Sequence, residues 1–267
     1  MAIEVRKDGG ITTITINRPE RRNALDLEHF QALAEAWVGF RDDDDARVAI
    51  ITGTGKDFTV GADLKSFVPA IAGETERIAA ERAEGKVNPA EAGLIAVLRE
   101  FELWKPVVAA VNGTCVAGGM EMLLGTDIRI ASTQASFGIF EPKRGLFPGG
   151  GTTVRLPRQI PFPWAMEVLL VGDAVDAQTA LRMGIVNAVV EPDALLDTAA
   201  EWARKIMRNA PLAIEATKRS VMTGLGLPLK EAFDQELMHA AQVFMTEDAK
   251  EGPRAFAEKR DPVWQRR

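Results

Sequence analysis

The stretch from Lys105 to Glu141, KPVVAAVNGTCVAGGMEMLLGTDIRIASTQASFGIFE, constrains the fold more than any other part of the chain. It opens with a short apolar run, Val107 to Val111, preceded by Pro106 and closed by Asn112-Gly113, the pattern of a buried strand entering a turn. The loop beyond reaches Gly118-Gly119, and Met120 to Leu124 then favour helix, which puts two glycines at a helix N-terminus. Backbone N–H groups there lack intrahelical partners, lie at the positive end of the helix dipole and, with no side chain in the way, can be approached closely. Such a place favours negative charge. Glu121 adds a carboxylate about one turn in, and Glu141 brings a second between Phe137-Gly138 and the glycine-rich run Gly145 to Thr152. Backbone donors flanked by two carboxylates suit proton transfer at carbons next to a carbonyl.

Three elements of this stretch carry a family resemblance: Asn112-Gly113, Gly118-Gly119-Met120-Glu121 and Phe137-Gly138-Ile139-Phe140-Glu141. In order and spacing they resemble the centre of the crotonase superfamily, the enoyl-CoA hydratases and isomerases. A further element, Gly61-Ala62-Asp63, follows the buried-strand pattern Arg47 to Thr52 and resembles the family's Ala-Gly-Ala/Gly-Asp motif, with Val60 where a smaller residue is usual. The resemblance implies that the N–H groups of Ala62 and Gly118 pair as an oxyanion hole, with Glu121 and Glu141 as the catalytic pair. It also implies that Arg22, Ala24, Asp63, Leu64 and Lys65, together with Phe256 and Lys259 near the C-terminus, contact coenzyme A. Arg22 and Lys65 are the candidate cations for its phosphates. Phe140 stands where the family usually has proline, and one residue is missing among the glycines before Thr152, departures that bear on the shape of the acyl pocket. The implied fold is α/β: a crotonase-like spiral of ββα units over residues 1–194 and a C-terminal helical trimerisation region over residues 195–267. No repeat is visible in the sequence itself, so the spiral rests on the resemblance alone.

Charge and motif content exclude most other chemistries. The net charge of -6 gives no global basic field for nucleic acid, so an anionic ligand needs locally placed Arg or Lys. The N-terminus MAIEVRKDGG has no apolar signal core and no apolar run is long enough to span a membrane, which leads to the expectation of a cytoplasmic protein. The single cysteine, Cys115, rules out an internal disulfide and, with no histidine nearby in sequence, reads as small buried filler rather than a nucleophile. There is no Gly-x-Ser-x-Gly elbow, no His-Glu-x-x-His or paired cysteines, and no Walker A sequence; His29 and His239 both fall in helical patterns. Neither glycine cluster is a dinucleotide fingerprint with its acidic partner.

Along the chain, Ile11 to Ile16 reads as a strand turned by Asp8-Gly9-Gly10 from another around Ile3 to Val5. A helix capped by Asp26 buries Phe30, Leu33, Ala34, Trp37 and Val38, and the acidic run Asp42 to Asp45 is a solvated connection. Phe67 to Val87, alanine-rich and charged, suggests a mobile flap, and Pro89 to Trp104 a helix. Pro163 to Val171 and Asp176 to Met183 read as helices, the second stopped by Gly184, with Ala188 to Val190 extended. Leu195 to Arg208, Pro211 to Met222 and Leu229 to Met245 follow as three helices without strands, and Thr246 caps a last one.

The function so implied is hydration of a trans-2-enoyl-CoA to a 3-hydroxyacyl-CoA, with no metal or cofactor and with coenzyme A as part of the substrate. A Δ3,Δ2-enoyl-CoA isomerase, which needs one carboxylate, is the alternative within the family. A non-catalytic acyl-CoA sensor or an RNA-binding relative is the alternative outside catalysis, opposed by the acidic balance and by the two glutamates. The expected partners are an acyl-CoA thioester and further copies of the chain, as homotrimer or homohexamer, with neither nucleic acid nor membrane.

Overall fold

The computed structural model describes residues 3–65 and 90–267. Strands β1 (Ile3–Asp8) and β2 (Ile11–Ile16) form the expected hairpin, antiparallel with Ile3 opposite Ile16. Helix α1 (Leu27–Asp42) starts where the Asp26 carboxylate accepts the His29 N–H at 3.1 Å, and its 3.6-residue period turns Phe30, Leu33, Ala34, Trp37 and Phe40 inward. Val38 is only half-buried. In the acidic run beyond, the Asp43 carboxylate pairs with Lys7 at 2.6 Å.

Strands β3 (Val48–Gly53) and β4 (Asp57–Thr59) take the first step of a repeated path. The expected flap, Phe67 to Val87, lies outside the described residues. The helix expected from Pro89 to Trp104 is found only as α2 (Ala90–Ala96). It stops because Leu98 and Glu100 take positive φ, 56° and 54°, while the Arg155 guanidinium donates to the carbonyls of Val97 and Leu98. The capped carbonyls replace the hydrogen bonds another turn would have made.

The path then repeats as β5 (Val107–Val111), β6 (Thr114–Val116) and α3 (Gly118–Leu123), and again as β7 (Ile128–Ser132), β8 (Ser136–Gly138), α4 (Thr152–Gln159) and α5 (Phe162–Val171). After β9 (Val175–Asp176), α6 (Ala177–Met183) and β10 (Ala188–Val190), the six-stranded sheet has the order β1-β2-β3-β5-β7-β10 and the four-stranded sheet the order β4-β6-β8-β9. In each ββα step the first strand enters the larger sheet and the second enters the smaller, which is the spiral the resemblance implied. The pairs are parallel except β1 with β2 and β8 with β9.

Alternation along the central strands divides the core. Ala49, Ile51, Ala109 and Val111 face the main cluster, which holds Trp37, Phe58, Phe137 and Met120; Val48, Ile50, Val108 and Ala110 face the other way, against Leu195, Ala199 and Ala203 of α7 (Leu195–Met207). The first helix after residue 194 thus packs on the sheet. Helices α8 (Pro211–Gly224) and α9 (Leu229–Phe244) pack on each other, and α10 (Glu247–Glu258) is capped by Thr246 as expected. The last residues fold back: Asp248 accepts the N–H groups of Gln265 and Arg266, and Trp264 donates to the Arg208 carbonyl.

Candidate active site

Backbone geometry brings Ala62 and Gly118 together from residues far apart in sequence. Leu25 forms a single parallel bridge to Ala62, in which the Leu25 N–H donates to the Gly61 carbonyl at 2.8 Å and its carbonyl accepts the Asp63 N–H at 2.7 Å. Successive N–H groups of an extended chain point to opposite sides, so the Ala62 N–H faces away from Leu25. On that side lies Gly118: a Cβ placed on Gly118 would stand 3.6 Å from the Ala62 nitrogen, and one placed on Gly61 would strike the Gly118 nitrogen at 2.5 Å. Gly61 also has φ +81°, so both its conformation and this close approach demand glycine. Neither N–H donates to a partner among the described residues.

The turn into α3 is held in a strained form. Ala117, its N-cap, has φ 52° and ψ −123°, and its N–H donates to the Gly138 carbonyl at 3.0 Å. β6 therefore ends against β8 while the next N–H groups turn out of the sheet. One turn on, Glu121 is 9% exposed. Its carboxylate accepts the Gly150 N–H, the residue before the N-cap of α4. Burial raises the Glu121 carboxyl to about 7; the Gly150 hydrogen bond opposes that rise, the Glu141 charge adds to it, and Arg155 and Arg99 oppose it. Glu141 stands at the start of a 3-10 turn, Pro142–Arg144, and its carboxyl is raised by burial against weaker opposition from backbone N–H groups and Arg144. Its Oε2 is buried with no partner among the described residues. A group placed between two such carboxyls would meet one firmly held and one with an open acceptor.

The predicted coenzyme A residues fall into two groups. Arg22, Ala24, Asp63, Leu64 and Lys65 are brought near one another by the Leu25 bridge. Arg22 spends part of its charge on Asp57 at 2.8 Å yet keeps a largely exposed side chain, and Leu64 and Lys65 are exposed. Asp63 takes Lys65 N–H at 3.2 Å and pairs with Arg18 at 3.4 Å. Phe256 is 86% exposed on α10, and Lys259 ends that helix at φ +54°. Among the described residues no side-chain hydrogen bond or ion pair joins Phe256 or Lys259 to the two glutamates or to the first group, and Phe256 turns its ring to solvent.

Four residues that support this site were not singled out from the sequence. Arg18 donates to the Ala24 carbonyl at 2.9 Å and pairs with Asp26 at 3.1 Å; Asn23, fully buried with φ 56°, donates to the carbonyls of Thr54 and Asp57. The Asn-Ala dipeptide ahead of the helix cap was a signal for the second. Gly150 lay within the glycine-rich run that the sequence marks, but its hold on Glu121 left no signal, and Arg155 gave none, since each acts on a residue about thirty positions away. No group of three potential metal ligands occurs among the described residues. A cavity of about 340 Å³ elsewhere, lined by residues including Lys105, Glu215 and Arg266, has its cations taken up: Lys105 by the carbonyls of Phe40 and Asp43, Arg266 by Asp44 and Glu215. Cys115 is buried and its thiol pushed up by desolvation, which fits filler.

A double sheet of ββα steps, two outward N–H groups, and one buried and one half-buried carboxyl form an arrangement suited to acyl-thioester chemistry. The family model described as enoyl-CoA hydratase/isomerase matches residues 6–267, and the chain belongs to that family. Among its relatives are an enoyl-CoA hydratase of Mycobacterium tuberculosis, 41% identical over 98% of this chain and 96% of its own, and an (E)-benzylidenesuccinyl-CoA hydratase of Thauera aromatica, 40% identical over 99% of both. A carnitinyl-CoA dehydratase of Citrobacter koseri is 41% identical over 100% of this chain and 99% of its own. The crystal structure of an enoyl-CoA hydratase from Bacillus anthracis superposes with a TM-score of 0.89 at 32% identity, covering 100% of each chain. With such relatives over its full length, the chain is an enzyme of the hydratase, or lyase, class.

Proposed function

We propose that the enzyme adds water across the C2=C3 bond of a trans-2-enoyl-CoA to give a 3-hydroxyacyl-CoA. The observation that carries this reading is Glu121, held by the Gly150 N–H, together with Glu141, whose buried Oε2 has no partner among the described residues, and two backbone donors that are unpaired among the same residues. The thioester oxygen accepts the N–H groups of Ala62 and Gly118, which stabilise the enolate that forms as the water oxygen bonds to C3. Glu121 takes a proton from that water, and Glu141 delivers one to C2. Because the Glu141 charge acts on Glu121, the division of roles belongs to the two carboxyls together. An isomerase needs one proton carrier, and the raised second carboxyl favours the hydratase reading over it.

The reaction needs no metal or resident cofactor, because coenzyme A arrives with the substrate. Arg22 and Lys65 meet its phosphates, and Ala24, Asp63 and Leu64 line its path. Phe256 and Lys259 contribute from a second copy, in an assembly built on trimers. The acyl group rests on apolar surface between the two carboxylate holders, where Leu146 and Phe147 are exposed. The relatives differ in the acyl groups their names give, and this loop, one residue short, helps to set this chain's choice. Among the described residues no helix is long and apolar enough to cross a membrane, and we place the enzyme in the cytoplasm, without nucleic-acid partners.

Incubation with crotonyl-CoA tests the reading: the conjugated enoyl absorbance should fall as water adds. Glu121→Gln and Glu141→Gln should each slow hydration by about 1000-fold while acyl-CoA binding persists, and the double variant should lose far less than the product of the two. Faster conversion of a 3-enoyl-CoA than hydration of the 2-enoyl isomer would replace this reading with the isomerase.

A further inference from the structure

We propose that Arg155 is a positioning residue that sets the orientation of Glu121 by tying the start of α3 to the end of α2. Arg155 lies one turn into α4. One of its terminal nitrogens donates to the carbonyl of Glu121 itself at 3.1 Å and to that of Val97 at 3.1 Å; the other donates to the Leu98 carbonyl. The same segment that carries Arg155 also supplies the Gly150 N–H to the Glu121 carboxylate. Glu121 is thus gripped at its backbone and at its head from one element, and a shift of α4 moves both grips together.

The third point of attachment gives the arrangement its reach. Val97 and Leu98 close α2, where Leu98 takes φ 56°, and Arg99 next to them donates to the Gly149 carbonyl. The end of α2, the glycine run and the backbone of Glu121 therefore form one block around a single guanidinium. A planar fork satisfies three carbonyls at once, which an ammonium on a flexible stem cannot do with the same geometry. Among the described residues the charges acting on Glu121 are Glu141, Arg155 and Arg99, of which the two arginines favour its ionised form.

This proposal rests on Glu121 being the proton acceptor in hydration, and the experiment separates the two. Arg155→Lys and Arg155→Ala are compared with Arg129→Lys, because Arg129, buried where Arg155 is half-buried, likewise holds carbonyls, those of Leu124, Thr126 and Ile185, but is not among the charges acting on Glu121. The expected result is a fall in kcat of about tenfold or more for both Arg155 variants, with KM little changed. In Arg155→Ala the acid limb of the pH profile moves to higher pH, because a cation near a carboxylate has been removed. In Arg155→Lys the limb stays near its place, and methylguanidinium added to Arg155→Ala restores part of kcat. Arg129→Lys lowers the unfolding temperature and leaves the limb where it was. An infrared titration of the Glu121 carboxyl, assigned by its loss in Glu121→Gln, reads the same linkage without any turnover. If the wild type hydrates no enoyl-CoA, the proposed function fails while that titration still decides the role of Arg155. A folded Arg155→Lys with wild-type kcat, or an Arg155→Ala whose carboxyl titration and pH limb match the wild type, overturns the proposal; should Arg155→Ala not fold, Arg155→Lys decides.

Discussion

Glu121 is costly to bury and is kept buried. Its folded pKa of about 7 lies above the unfolded value near 4.5, so between those pH values the folded chain binds more protons than the unfolded one. The stability linked to this group is present in full below about pH 4.5 and is lost as pH rises to 7. Glu121→Gln, which can still accept the Gly150 N–H, should therefore be more stable to unfolding than the wild type at pH 8, by roughly 2 kcal/mol, with the gap closing toward pH 5. A gap that is equal at both pH values would remove the case for a raised carboxyl. In catalysis the same group must be ionised to accept a proton, so kcat/KM should fall as pH drops below about 7. Gly150 offers a second test: a Cβ there would stand 2.3 Å from Glu121 Oε2, at the free end of a side chain rather than against backbone. Gly150→Ala should fold with little loss of stability and displace the carboxylate, lowering kcat by about 100-fold; unchanged kcat would show that the Gly150 contact does not position Glu121. The sequence made both glutamates and both donor glycine elements legible, because each carries a local signature of strand, turn and residue type. It hid what holds them, because Gly150 and Arg155 reach Glu121 across the fold and a single sequence contains no sign of such a contact.

At the scale of elements, the strands and most helices were readable because their signals are local: Asp26, Asp176 and Thr246 cap the helices they precede, and β5 is the apolar run it resembles. The helix from Pro89 was over-extended because its stop is made by Arg155, a distant side chain, rather than by a glycine or proline in its own sequence. The short strands β6 and β8 escaped notice for a similar reason, since three residues show too little alternation to be told from loop. The strained entry to α3 leads to a prediction about folding energy alone. A non-glycine residue in the Ala117 conformation costs about 1–3 kcal/mol, of which the extra freedom glycine loses on folding would take back up to about 1. Ala117→Gly should therefore raise stability by about 1 kcal/mol in calorimetry, and a clear loss would mean that the Ala117 methyl contributes packing that outweighs the strain.

For the whole molecule, the question is what α8 and α9 face. Leu229, Phe233, Leu237 and Phe244 recur at helical spacing on α9, and each is more than half exposed in a single copy, as are Val221 on α8 and Leu225 at its C-cap. An apolar face of this extent is unusual on a chain that works alone. A homo-oligomer built on trimers should appear by light scattering at micromolar concentration, and Phe233→Glu with Leu237→Glu should reduce it to single copies. A single-copy mass for the wild type would leave the face without the role given to it. If Phe256 and Lys259 reach coenzyme A from a second copy, as proposed above, dissociation should also weaken acyl-CoA binding. The sequence carried the helices of this region through their periodicity and caps, but it did not show that α7 belongs to the sheet, because Leu195, Ala199 and Ala203 would look the same packed on a strand or on a helix.

The single rung between Leu25 and Ala62 has a consequence for how this enzyme can change over generations. The donor it turns outward belongs to the peptide backbone, so any residue other than proline at position 62 leaves it in place. Substitution there alters the neighbourhood of the proposed thioester site without erasing its backbone donor. Insertion or deletion is the damaging event, for a slip of one residue would present the N–H of Gly61 or Asp63 instead and turn the donor toward Leu25. The identity of residue 62 is thus free to vary in a way that the spacing of the rung is not.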